Sequence, residues 1–210
     1  MKTSLIIVGC FVVGMLLPGL LPDASALLHQ STVASEYVLY ALLFLVGIGI
    51  GSDPELPNII RSFSPRVLVV PAATIVGTIA FSALTIFLLP HRTLADCLAI
   101  GSGMGYYSLS SVLITQLRTP DAGITIAAEL GTIALIANIV RELITLLASP
   151  ALARLFGPLA PICAGGATTA DTTFPIITQT VGSRYAFIAI IHGIIVDAPV
   201  PFLVLLFCSV

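Results

Sequence analysis

Tryptophan is missing from this chain and charge is scarce: 9% of its 210 residues are Asp, Glu, Lys or Arg, against 58% that are hydrophobic. A soluble domain carries about 25% charged residues, so a water-facing surface cannot be assembled from this composition. What remains is an integral membrane protein. The net charge is −2 with no basic cluster, so neither nucleic acid nor an anionic membrane surface is implied as a partner. The four cysteines, Cys10, Cys97, Cys163 and Cys208, are scattered without a C-x-x-C or a neighbouring His pair. Neither a disulfide framework nor a metal site is expected of them, and in apolar segments a free thiol behaves as a small hydrophobe. The sequence also lacks G-x-G-D and H-E-x-x-H, which counts against an intramembrane hydrolase using paired acids.

What the chain does have is long apolar runs. A bilayer core of about 30 Å takes about 20 apolar residues per helix. Residues 4–21, 35–51 and 67–89 predict three ordinary lipid-facing helices, the second opened by Ser35 and the third closed by Pro90-His91-Arg92. The first follows Lys2 and precedes an Ala24-Ser25-Ala26 that resembles a signal-peptidase site; with so many spans following, it is expected to remain as a helix. Lys2, Arg61 and Arg66 put the N-terminus and the 52–66 loop on the cytoplasmic side by the positive-inside tendency, with Arg92 as the counterexample.

The second half is written differently. Residues 94–117 are apolar at both ends but interrupted by Gly101, Gly103, Gly105 and serines. Residues 121–149 follow as a segment bounded by Pro120 and Pro150, and residues 163–179 read CAGGATTADTTFPIITQ, an aspartate among small and hydroxylated residues. Placing Gln116 over Gln179 aligns GSGMGYYSLSSVLITQ with AGGATTADTTFPIITQ without a gap. Gly103 then meets Gly166, Ser110 meets Thr173, and Asp171 takes the position of Ser108. Paired Gly- or Pro-interrupted segments in corresponding places are the sequence mark of a transporter binding site. Unwound backbone at membrane depth is tolerated only where protein buries it or a wet cavity accepts it; small residues that merely permit close helix packing are the competing explanation. The fold expected is an all-α transmembrane bundle with two discontinuous helices, 94–117 and 158–182. Residues 1–92 read as a scaffold and 93–210 as a transport core.

Ionisable groups inside such segments are the candidate site. A carboxylate at mid-membrane costs about 2.5–3.5 kcal/mol on insertion scales, so Asp171 needs a partner, a water or a proton. Thr168, Thr169, Thr172 and Thr173 can hydrate it without neutralising it. Glu142 shares a helix face with Asn138 and Thr145, while Arg141 points about 100° away as a possible counter-ion. Gly103, Ser108, Ser110 and the two terminal glutamines, Gln116 and Gln179, complete the substrate- and proton-binding set. Tyr106 and Tyr107 either contact substrate or pack. Glu129 is expected nearer an interface. His192 and Asp197, five residues apart on the last span (184–210), are too far round the helix for a simple pair and either function or mark packing and a helix end.

With these residues in place, the sequence resembles the lysine exporter (LysO) family of bacteria and archaea. The matching stretches are ASEYVLYALLFLVGIGI, SGMGYYSLSSVLITQ, NIVRELITLL, CAGGATTADTTFPIITQ and AIIHGIIVDAPVP, in order and without large gaps. The resemblance implies that Glu142 and Asp171 form a functional acidic pair. It also implies multi-pass insertion in the inner membrane and export of L-lysine and its analogue thialysine by proton antiport, with no cofactor beyond the proton. It further implies an architecture like that of the cation/proton antiporters and anion transporters with crossed broken helices. Longer family members carry a further N-terminal hydrophobic region, so a small membrane subunit or a homodimer is expected to supply it. The alternative is a transporter of the same architecture for another solute, an organic anion or a different amino acid.

Overall fold

The computed structural model describes residues 65–89 and 91–210, with isolated positions before them. The expected spans 4–21 and 35–51 therefore lie outside the described residues. A 3₁₀ turn, Pro65–Leu68, leads into α1 (Val69–Leu84), and Thr85–Phe87 extends it by another 3₁₀ turn. After a short loop come α2 (Leu94–Gly101), α3 (Tyr107–Phe156), α4 (Ala160–Gly165), α5 (Phe174–Val181), α6 (Ala186–Asp197) and α7 (Val200–Cys208). Among the described residues, three stretches are long and apolar enough to cross a bilayer: Pro65–Phe87, Tyr107–Phe156 and Ser183–Cys208. Phe81, Phe87, Ile136 and Phe202 face outward and are more than half exposed, the exterior of a protein solvated by lipid. Among the described residues every element is helical, as in a membrane-spanning bundle.

The fifty residues of α3 would reach about 75 Å as one rod, more than twice a bilayer core. They do not form one. Gly123 leaves the helical region at φ 79°, ψ 158°, and the chain folds back on itself there. A Cβ on Gly131 would meet the Ser111 carbonyl at 2.8 Å, a contact that residues twenty apart in a straight helix cannot make. The two arms, 107–122 and 124–156, pack antiparallel. The boundary expected at Pro120 thus falls three residues later, because only a glycine takes up that positive φ without strain. The expected stop at Pro150 is absent: the helix runs through it to Phe156, and Gly157 (φ 91°) ends it.

Three other elements are too short to cross anything: α2, α4 and α5 have eight, six and eight residues, or about 9–12 Å each. Local chemistry sets their starts. Thr93 and Asp96 close a reciprocal capping box on α2, while Pro161 and Pro175 occupy the first turns of α4 and α5. Between α2 and α3 the chain is non-helical or turned at 102–106; between α4 and α5 it runs through a 3₁₀ segment, Gly166–Ala170, and a turn at 171–173.

Those two interruptions touch. The Ala167 N–H donates to the Met104 carbonyl at 2.9 Å, and Met104 and Ala167 are equivalent positions in the sequence repeat. Met104 holds a positive φ of 46° and is fully buried. A Cβ on Gly166 would strike the Met104 carbonyl, and one on Gly105 would come within 3.0 Å of the Gly165 carbonyl. Glycine is required here because two backbones approach each other. One apolar cluster (Ile100, Met104, Ile114, Leu130, Val196, Val200) lies against α2, α3, α6 and α7, and a second (Ile162, Phe174, Ile177, Ala189) joins α4, α5 and α6.

Candidate functional site

Bringing two irregular backbones together inside an apolar bundle requires that their N–H and C=O groups find partners. Asn138, buried on the long arm of α3, accepts from the Gly105 N–H at 2.7 Å through Oδ1 and donates to the Ala134 carbonyl at 2.8 Å through Nδ2. Its amide fills the notch that Gly103 leaves open, beside the buried Ser110 hydroxyl. Arg141 donates from Nε to the Ala164 carbonyl at 2.8 Å and from Nη2 to the Cys163 carbonyl at 3.0 Å. It therefore caps the C-terminal end of α4, where carbonyls lack helical donors and a cation is favoured. The expected counter-ion is committed to backbone.

The threonines divide into two groups. Thr168, Thr169 and Thr173 are buried and turned inward. Thr168 and Thr169 donate to the Gly165 and Gly166 carbonyls at 2.9 and 2.8 Å, and Thr173 to the Thr168 carbonyl at 2.9 Å. These bonds stitch the second interruption together. Thr172 is the exception: its N–H and hydroxyl both donate to Asp171 Oδ1, and its side chain lies against the Glu142 carboxylate. Glu142 and Asp171 sit within electrostatic reach of each other, and the Tyr107 phenol is close enough to feel both.

His192 is completely buried behind this loop. Its Nε2 lies 2.9 Å from the Thr74 hydroxyl of α1 and its Nδ1 3.2 Å from that of Thr169. The ring ties α1 to the interruption, on the side away from Asp171, with Arg141 as its charged neighbour.

On the open side lies a cavity of about 320 Å³, within the size class of small-molecule sites. Its walls come from both interruptions and from α6: Tyr106, Tyr107 and Ser108 on one side, Thr168, Asp171 and Thr172 on another, with Asp197 completing it. Among the described residues, no Lys or Arg contributes to this lining. The N-cap residue of α3, Tyr106, supplies no side-chain bond; the Tyr107 N–H donates to the Gly105 carbonyl at 3.0 Å and the Ser110 N–H to that of Tyr106 at 3.1 Å. The N–H groups of Ser108 and Leu109 therefore have no acceptor within the helix. Of these two residues, Ser108 lines the cavity, which places carboxylates and the start of α3 around one space.

Of the residues singled out by sequence, Tyr106, Ser108, Thr168, Asp171 and Thr172 line the cavity, and Glu142 reaches it through Thr172. Asn138, Arg141, Gly103, Ser110, Thr169 and Thr173 form the layer that holds it open. Gln116 and Gln179 are exposed beyond the cavity, each about two and a half helical turns from Tyr107 or about two from Asp171. Gly105, Gly193 and Asp197 enter the wall although the site reading left them out. For Asp197 the available signal was an acid in the last span followed by Pro199 and Pro201.

Among comparisons with known proteins, the family model described as "Lysine exporter LysO" matches residues 8–208. The chain is 34% identical over 186 residues to "Lysine exporter LysO" of Escherichia coli strain K12, covering 88% of this chain and 58% of that protein. It is 30% identical over 183 residues to a "Putative lysine exporter" of Haemophilus influenzae, covering 87% of this chain and 88% of that one. No solved structure matches. The segments that build the cavity all lie inside the matched region, and the match runs nearly end to end: this chain belongs to the lysine exporter LysO family.

Proposed function

We propose that the chain is the translocating core of a multi-pass inner-membrane exporter of L-lysine and its analogue thialysine, driven by proton antiport, and that the crossed interruptions are two broken transmembrane helices. One observation carries this reading: among the described residues, the cavity beside the crossing is lined by the carboxylates of Asp171 and Asp197 and by several hydroxyl groups, and by no Lys or Arg. Lysine carries one carboxylate and two ammonium groups. The carboxylate fits the unpaired N–H groups of Ser108 and Leu109 at the start of α3, where the helix dipole favours an anion. An ammonium group fits Asp171 and Glu142, which lie close together around Thr172. Two carboxylates sharing a site resist being charged together, so a proton can take the place of the departing cation. Acidic walls count against an organic anion as the cargo.

Charge accounting supports antiport. Carrying one positive charge outward against 100 mV costs about 2.3 kcal/mol; one proton entering per lysine cancels that cost and leaves the concentration gradients as drivers. The test is lysine flux in proteoliposomes with an imposed pH gradient, comparing the wild-type chain with Asp171→Asn. Wild-type flux that follows the gradient, together with a variant that folds but no longer responds to it, supports the assignment. Undiminished proton-linked flux in the variant rejects it.

A further inference from the structure

Asp197 lines the same cavity as Asp171 but comes from a different element, the C-terminal end of α6. The two carboxylates lie within electrostatic reach of each other. Unlike Asp171, which Thr172 holds by N–H and hydroxyl, the Asp197 carboxylate has no hydrogen bond or ion pair among the described residues. It is half-buried, a poor place for an uncompensated charge. The backbone adds to this. Pro201 has no N–H to return to the Asp197 carbonyl, so at the junction between α6 and α7 this carbonyl lacks its usual helical donor beside the carboxylate. Ser108, at the start of α3, lines the same cavity and supplies a donor. A ligand with a carboxylate and one ammonium group is already provided for by that donor and the Asp171–Glu142 pair. A second acceptor group has work only if the ligand carries a second cation.

We infer that Asp197 is the specificity-determining residue of the cavity, receiving the side-chain ammonium of a dibasic amino acid while the Asp171–Glu142 pair receives the α-ammonium. This rests on the cavity being the lysine site. Gly193 and Ile194, about one turn earlier on α6, also line the cavity: a Cβ on Gly193 would strike the Ala170 backbone, so the glycine lets α6 approach the second interruption, and the exposed isoleucine offers an apolar surface to a methylene chain.

The experiment compares wild-type, Asp197→Asn and Asp197→Glu chains in proteoliposomes, measuring saturable lysine flux and its inhibition by ornithine and by norleucine, the isosteric amino acid without the second ammonium. Losing one charge-assisted contact should raise the lysine KM of Asp197→Asn by about ten- to a hundredfold. Maximal flux should fall much less, and the preference for lysine over norleucine should collapse. Asp197→Glu, which keeps the charge, should recover part of the preference, and matched melting curves in detergent should show that the variants fold. An unchanged lysine KM with unchanged preference in Asp197→Asn overturns the inference while leaving the lysine site standing. Loss of flux with no change in KM or preference assigns Asp197 to structure and also overturns it. A wild-type chain without saturable lysine flux overturns the proposed function together with this inference.

Discussion

Four threonines surround Asp171 in the sequence, and composition alone presents them as equivalent hydrating groups. The fold separates them by where each hydroxyl finds an acceptor. Thr169 donates to the Gly166 carbonyl and faces His192, both buried, whereas Thr172 serves the carboxylates. Valine at the two positions should therefore have opposite consequences. Thr169→Val leaves a buried carbonyl short of its donor and should cost about 1–3 kcal/mol of stability, read as a lowered melting temperature in detergent. Thr172→Val should melt like wild type and lose lysine flux. The reverse pattern would show that the inward and outward roles have been exchanged. Arg141 teaches the same point about legibility: a basic residue beside an acid in sequence reads as its counter-ion, yet the bonds it makes are to the carbonyls of Cys163 and Ala164, which no local pattern announces.

At the level of elements, the glycines decide where helices stop, and their reasons differ. Gly166 combines a positive φ of 63° with a Cβ position that strikes the Met104 carbonyl, while Gly123 has its positive φ of 79° and open space around it. A strained backbone conformation costs about 1–3 kcal/mol, so Gly123→Ala should pay that amount and still give a monodisperse protein. Gly166→Ala adds a backbone collision that nothing nearby can yield to and should lose the folded peak in size-exclusion chromatography. Equal behaviour of the two variants would contradict the close approach of the interruptions. Part of this was legible: Gly101 to Gly105 and the CAGGATTAD run coincide with the non-helical or 3₁₀ stretches after α2 and after α4, whereas the contact of Met104 with Ala167 joins two stretches that the sequence only aligns. The hairpin at Gly123 was only half legible, because prolines at 120 and 150 look like ends of a helix that in fact runs through both.

Across the whole molecule, scarcity of charge identified a membrane protein, since a composition with 9% charged residues has no other stable solvent. Pairings distant in sequence left no such trace. Arg118 of α3 meets Asp96 of α2 at 2.7 Å in a largely buried ion pair, with a further bond to the Cys208 carbonyl at 3.5 Å. Neither residue stands out in a linear reading, because periodicity reports the face of a helix and not what lies opposite. Asp197 escaped the site reading for the same reason, its neighbour Asp171 being on another element. The central claim is that lysine occupies the cavity beside the crossing, and a single cysteine at Ser108 tests it most directly. Ser108 is exposed in the cavity wall. In a chain with Cys10, Cys97, Cys163 and Cys208 replaced by alanine, Ser108→Cys should react with a charged, membrane-impermeant methanethiosulfonate, and lysine should slow that reaction in a saturable way while norleucine does not. A cysteine that lysine leaves equally reactive at every concentration would place the substrate elsewhere and contradict the account.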